Sequence, residues 1–197
     1  MNNNLFDQKI NVRGDITARF YRQENKWAKK WNRMLEVLML LAAESGRLRF
    51  RAWLFENLYL IGKLTAIDEH KNVICNAGFN QVCQAIGGDL GAVDIKINKA
   101  LLGTGVTGSA AASDTQLETE TYRNDMASHA NSSNIAYVTA FFTQTEVTGT
   151  FKEFGNAIRG TGTANSGYLW SHVKGLNWAK DNVTTLTIDC KYTFASV

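Results

Sequence analysis

Near the end of the chain Leu186, Ile188, Cys190, Tyr192 and Phe194 alternate without a break with Thr185, Thr187, Asp189, Lys191 and Thr193. Successive side chains of an extended strand point to opposite faces, so this period of two predicts a strand with one buried and one wet face. Such a strand needs a sheet around it and a core to face. Other stretches of the same style are present. Asn134 to Thr143 sets Ile135, Tyr137 and Phe141 against Ala136, Val138 and Phe142, both sets largely apolar, which suits the middle of a sandwich. Ile95 to Leu102, Thr150 to Ile158 and Tyr168 to Val173 predict further short strands, and Asp15 to Arg22 alternates as Ile16, Ala18, Phe20 against Thr17, Arg19, Tyr21. The chain has 16 glycines and no proline, so its turns must rely on Gly, Asn, Asp and Ser. Without βαβ alternation or an internal repeat, this pattern predicts a mainly β protein, an antiparallel β-sandwich of jelly-roll-like kind.

Two helices interrupt the pattern. The first runs from about Glu24 to Ser45, with Gly46 placed to end it. In it Trp27, Trp31, Met34, Leu38 and Leu41 step by 4, 3, 4 and 3, the spacing of one helix face or a two-heptad seam. Leu35 widens this face, with Val37, Met39 and Leu40 beside it, so the helix needs cover from the rest of the chain or from neighbouring copies. Trp27, Trp31, Met34, Leu35, Leu38 and Leu41 are therefore the candidate assembly interface. The second helix, Asn76 to Ile86, carries Phe79, Val82, Cys83 and Ile86 and stops at Gly87-Gly88; it is expected to pack on the sheet. Arg47 to Ile67 reads both as strand and as helix; strands at its two ends, with a turn near Glu56-Asn57, are the preferred reading. The expected organisation is an N-terminal arm and anchoring helix over 1–46 and a β-sandwich body over 47–197.

At 197 residues the chain can bury a core without disulfides or metal. Cys75, Cys83 and Cys190 are too few and too scattered for a disulfide framework and read as small buried apolar residues. The opening Met1-Asn2-Asn3-Asn4 leads into no apolar stretch of a secretory signal, and the longest strongly apolar run, Met34 to Ala43, is about half a bilayer span, so a soluble protein is expected. The net charge of +3 is unevenly spread: Lys9 to Arg33 holds eight Lys and Arg against Asp15 and Glu24, a local balance of +6. Nucleic acid or an anionic membrane could meet Lys26 to Arg33, but Trp27 and Trp31 belong to the apolar seam, so a solvated face or a dock for an acidic partner is preferred.

No stretch assembles a catalytic, cofactor or metal signature. Gly103-Thr104-Gly105-Val106-Thr107-Gly108 spells the glycine pattern of a dinucleotide loop, yet Ser109 to Thr115 reads as a loop where a helix N-terminus would have to receive the pyrophosphate. Arg13-Gly14-Asp15 reads as a turn before the first strand. His70, His129 and His172 have no ligand partner at metal spacing. Ser128-His129 and Ser171-His172 are neighbours in sequence, which on a strand sends the two side chains to opposite faces. Glu118 and Glu120 share a face if Leu117 to Tyr122 is extended, a candidate carboxylate pair whose plainer reading is a solvated edge. Trp170 and Trp178 are candidate receptor contacts, since exposed indoles stack on sugar rings.

Taken in order, Asn72 to Asn80 with its Asn76-Ala77-Gly78, then Ala100-Leu101-Leu102-Gly103-Thr104-Gly105, then Ser113-Asp114-Thr115-Gln116-Leu117-Glu118-Thr119-Glu120, resemble virion structural proteins of tailed bacteriophages, of the tail-fibre-like type. Thr150 to Asn156 and the closing strand look like the remaining landmarks. The resemblance covers about Leu64 to Val197; family members often carry proline where this chain has Ala110-Ala111-Ala112. It implies a non-enzymatic part of a virion, tail- or neck-associated, that assembles with other virion proteins and copies of itself. A capsid decoration or head-fibre protein, or a glycan-binding module, is the alternative.

Overall fold

The computed structural model describes residues 10–23, 26–44, 62–88 and 94–196. Its elements are β1 (Ile10–Arg22), α1 (Lys26–Glu44), β2 (Lys63–Ile74), α2 (Asn76–Gly87), β3 (Ile97–Gly103), β4 (Glu120–Ser132), β5 (Ile135–Phe142), β6 (Gly149–Ile158), β7 (Tyr168–Lys180) and β8 (Thr184–Ser196). The protein is mainly β, and its eight strands form an antiparallel sheet in the order β1-β2-β7-β6-β3-β4-β5-β8 that closes through β8 and β1. Among the described residues no helix is long and apolar enough to cross a membrane.

From Leu186 on, the alternation of β8 does what its pattern requires; Thr185, expected on the wet face, is buried. Leu186, Ile188, Cys190 and Tyr192 are buried in the barrel interior, while Asp189 and Lys191 face outward. Ile16, Ala18 and Phe20 of β1, Val138, Ala140 and Phe142 of β5, and Phe151, Phe154 and Ile158 of β6 complete that interior with Trp170 and Trp178 of β7. Each large apolar side chain buried here contributes roughly 1.5–3 kcal/mol.

Two strands bend the sheet round. β2 pairs with β1 over residues 63–72 and with β7 only through Val73↔His172 and Ile74↔Ser171. β4 pairs with β3 over 120–125 and with β5 from Met126 on, with an irregularity at Met126/Ser128. A strand that changes partner along its length makes a corner.

Several expectations are corrected. β4 was not foreseen, because its polar residues give no apolar alternation; it is exposed at most of its positions and half-buried at the rest. β7 runs seven residues past Val173, since Gly175 (φ 78) restores the strand after an irregularity and Leu176 and Trp178 return to the core. β1, placed by the sequence in an N-terminal arm, pairs along its length with β8, so the closed sheet begins before α1. Cys83 is exposed, as is Ile86 at the end of α2, while Phe79 and Val82 pack on the core. Gly78 sets this orientation: a Cβ there would lie 2.6 Å from the Trp170 Cα, so the first turn of α2 rests directly on the β7 backbone and its last turn projects. The helix ends at Gly88, in the left-handed conformation. The turn foreseen near Glu56-Asn57 and the stop at Gly46 lie outside the described residues.

Candidate functional site

The landmarks that are scattered in sequence meet on the outer face of the β3–β6–β7 wall. Leu101 of β3, Ala157 of β6 and Leu169 of β7 form a buried apolar patch on that face, capped by Cys75 and Leu117. The cover is the segment 104–119, which returns across the wall; its two ends are tied to each other by Thr104 N–H to Thr119 O (3.0 Å), and its middle is held by Asn76 N–H to Ala112 O (2.8 Å).

Under this cover lies Glu153 of β6, with no solvent exposure. Its Oε1 accepts from Gly105 N–H (3.0 Å) and Thr119 N–H (2.7 Å), and its Oε2 accepts from Glu118 N–H (3.0 Å) and faces His172 Nε2 (3.0 Å). The other ring nitrogen, Nδ1, faces Asp114 Oδ2 at 2.7 Å, and that oxygen also accepts from Ala111 N–H (2.9 Å). Each ring nitrogen of His172 thus faces a carboxylate oxygen. Burial acts to raise the Asp114 carboxyl, but Ala111 N–H together with the hydrogen bond and charge of His172 outweighs it and holds Asp114 below its ordinary value.

The glycines explain how the backbone comes so close. A Cβ on Gly103 would lie 2.4 Å from Glu153 Oε1, and one on Gly105 would lie 2.6 Å from it. The glycine loop thus cradles an anion with backbone N–H groups, as dinucleotide loops do, but the anion is a side chain of the same protein. At the edge of the cover, Glu118 Oε2 accepts from Lys174 Nζ (2.7 Å) and Thr107 N–H (2.9 Å), which pulls its carboxyl down to about 2.

The candidate carboxylate pair dissolves. Glu118 is spent on Lys174, whereas Glu120 makes a two-pronged bond with Arg123 (2.5 and 2.7 Å), which in turn holds Thr161 O and Ser166 Oγ. Two carboxylates each matched to their own cation do not share a cation site. Ser171 and His172 diverge as strand neighbours should: Ser171 Oγ meets Tyr192 Oη inside the barrel at 2.7 Å, and His172 faces out into the covered node. Both ring nitrogens of His172 are engaged by carboxylates within the covered node. His129 Nε2 rests on Ile97 O (2.6 Å), and His70 Nε2 on Asp68 Oδ2 (2.8 Å). Among the described residues no group of His, Cys, Asp and Glu is disposed to hold a metal. Arg13-Gly14-Asp15 lies within β1, with Arg13 paired to Asp15, so it forms no turn.

Comparison with known proteins returns no match. No family model, no curated protein and no solved structure is similar to the chain at the level required.

The remaining candidate residues fall in two places. Trp170 and Trp178 are buried, 2% and 1% exposed; Trp178 packs against Phe20 and Phe154 and donates Nε1–H to Asp68 Oδ2 (2.8 Å), so neither indole presents a face to solvent. On α1 the buried stripe is Ala28, Asn32 and Leu35, one position round from the seam read in the sequence. Trp27, Met34 and Leu38 of that seam are exposed, as is Val37, and half-buried Trp31 stacks on Trp27 with ring centroids 6.1 Å apart. The side chain of Leu41 lies outside the described residues.

The sequence reading missed Glu153 and its partners, although a signal was there. Glu153 shares one strand face with Gly155 and Ala157, and a charge on a face otherwise without polar side chains must be paired if that face is covered.

Proposed function

We propose that the chain is a non-enzymatic structural protein of a tailed-bacteriophage virion, tail- or neck-associated, that acts by packing against other virion proteins and copies of itself. The observation that carries this reading is the use made of Gly103-Thr104-Gly105, Asp114, Glu118 and Glu153: the residues that could have received a ligand are consumed in stapling the cover segment to the barrel. The resemblance supports it, because its ordered landmarks are the residues of that staple. The sheet is read as flattened into a jelly-roll-like sandwich, with β2 and β4 as its corners. The exposed Trp27, Met34 and Leu38 supply an apolar stripe of heptad spacing for assembly.

Immunogold labelling of purified particles with antibody to the barrel tests the assignment. Label on the tail or neck supports it; label over the capsid transfers the protein to the decoration or head-fibre class, and unlabelled particles remove the virion reading altogether. Light scattering of the full chain beside a Met34→Glu/Leu38→Glu variant tests the stripe, which predicts an oligomer that dissociates in the variant while the barrel stays folded.

A further inference from the structure

Helix α1 carries its charges against its own dipole. Lys26, Lys29, Lys30 and Arg33 fill its first half, and no acidic residue lies in its first turn. Glu36 and Glu44 are the charged residues of its second half, and no basic residue lies in its last turn. The N-terminus of a helix favours negative charge and the C-terminus positive, so this arrangement works against the helix standing alone. It matches a helix lying beside an inverted copy, where the basic end of each meets the acidic end of the other.

The exposed apolar residues of α1 lie where such a copy packs. On the heptad of the seam, Trp31 and Leu38 are a positions, and Trp27, Met34 and Leu41 are d positions. Ala28 and Leu35, on the e flank, are buried within the chain, at 5% and 2% exposure. Lys30 and Val37, on the g flank, are exposed, as are Trp27, Met34 and Leu38. One flank is thus taken and the other is open. A parallel copy needs both flanks, because the g residues of one helix face the e residues of the other. An inverted copy can use the open flank alone, since inversion sets g against g.

We propose that α1 docks a second copy of this chain as an antiparallel, two-fold helix pair whose axis crosses at the level of position 36. Met34 of each copy packs on Leu38 of the other, and Val37 meets Val37 across the axis on the open flank. Trp31 falls opposite position 41 of the other copy, a leucine in the sequence. The same register sets Lys30 against position 44 of the other copy, a glutamate, and the two-fold axis repeats that match. In a parallel pair the four basic residues of each copy would instead gather at one end. The proposal rests on the reading of the stripe as an assembly surface and is independent of the virion assignment.

The test is cross-linking of the full chain by a short bis-maleimide, in a Cys83→Ser background because Cys83 is exposed while Cys75 and Cys190 are buried. Lys30→Cys and Glu44→Cys are made as separate chains. With a rise of about 1.5 Å per residue, position 30 lies about 3 Å along the axis from position 44 of the other copy and about 18 Å from its own counterpart. Cross-linked dimer is therefore expected from the two chains mixed, at several-fold the yield of either alone. A second arm reads the charges and needs no cysteine. Lys30→Glu should raise the dissociation constant of the dimer about tenfold, by light scattering over a dilution series, and Lys30→Glu/Glu44→Lys should restore it. Circular dichroism confirms that each variant keeps its fold. A Lys30→Cys chain that cross-links to itself as well as the mixture does, or a charge exchange that fails to restore pairing, overturns the antiparallel pair and leaves the stripe an assembly surface. A full chain that is monomeric overturns both.

Discussion

The two outer faces of the barrel carry the same kinds of charged side chain and give them opposite weight. Outside the β3–β6–β7 wall, Glu153 and His172 are shut away from water beneath the segment 104–119, and every oxygen and nitrogen involved has a partner. Outside the β1–β8–β5 wall Arg19 and Asp189 form an ion pair with the two side chains 35% and 39% exposed; Thr139 Oγ1 adds a hydrogen bond to Asp189 at 2.7 Å. Water screens the second pair and can replace either partner, whereas nothing can replace a partner in the first. Ion pairing alone therefore says little about what holds this protein together. The cover decides.

The sharpest way to break the comparison is Glu153→Ala. The change strands three backbone N–H groups and one side of His172 in a site closed to solvent, and losing one partner of a buried pair costs about 3–5 kcal/mol. A fall in melting temperature on the order of 10 °C is expected for a chain of this size, read by calorimetry. A shift of a degree or two would mean that the cover segment lifts easily and the node is wet. Leu117→Ala attacks the same cover through its apolar contact. Leu117 is 1% exposed and is the residue by which the segment enters the patch of Leu101, Ala157 and Leu169. Truncation of a buried leucine costs about 2–5 kcal/mol. The loss should be accompanied by faster hydrogen exchange at the Gly105, Glu118 and Thr119 amides, whose bonds to Glu153 depend on the segment staying down.

How much of this was legible in sequence follows the same division. The inner faces were readable, because β8 and β5 announce themselves by period-two apolar residues that only a core explains. The covered outer face was not, because its information is relational: Glu153, Asp114 and His172 are unremarkable one by one, and only the fold sets a carboxylate against each ring nitrogen. The glycine pattern at 103–108 was correctly seen as a loop without a helix behind it, yet its purpose depends on a carboxylate 48 residues away in sequence. β4 escaped for a related reason: much of it faces water, so its strand character comes from the ladders to β3 and β5 and not from its own residues. On α1 the heptad spacing gave a helix, but spacing cannot say which of two adjacent stripes is the buried one.

Acid offers a milder probe of the covered face. A carboxyl held below its ordinary value in the folded chain stabilises the fold above its unfolded pKa and loses that contribution as pH falls through the folded value. For Asp114 the contribution is therefore complete above about pH 5 and declines from near its ordinary 3.8 downward. Asp68, Asp94 and Asp181 are also held low, so the acid limb of the wild type has several sources. Subtracting the curve of Asp114→Asn isolates one of them: the gap between the two proteins should be widest near neutrality and narrow as pH falls below the ordinary carboxylate value. A gap that stays constant with pH would show that Asp114 acts through shape and not through its charge.

The smallest effect is expected on the open face, and its smallness is the point. Asp189→Asn keeps the size of the side chain and its ability to accept from Thr139 Oγ1, and removes the charge that faces Arg19. Exposed pairs contribute at most about 1 kcal/mol, so urea unfolding should place the variant within that margin of the wild type, with its slope unchanged. Raising the salt concentration should shrink even that difference, since solvent-exposed charges are screened over roughly 8–10 Å at ordinary ionic strength. The Glu153→Ala deficit, lying where salt cannot enter, should not respond. If Asp189→Asn instead cost as much as Glu153→Ala, cover would not be the deciding variable, and the strands β1 and β8 would have to be held together by charge where the present account holds them by the buried faces of Ile16, Ala18, Ile188 and Cys190.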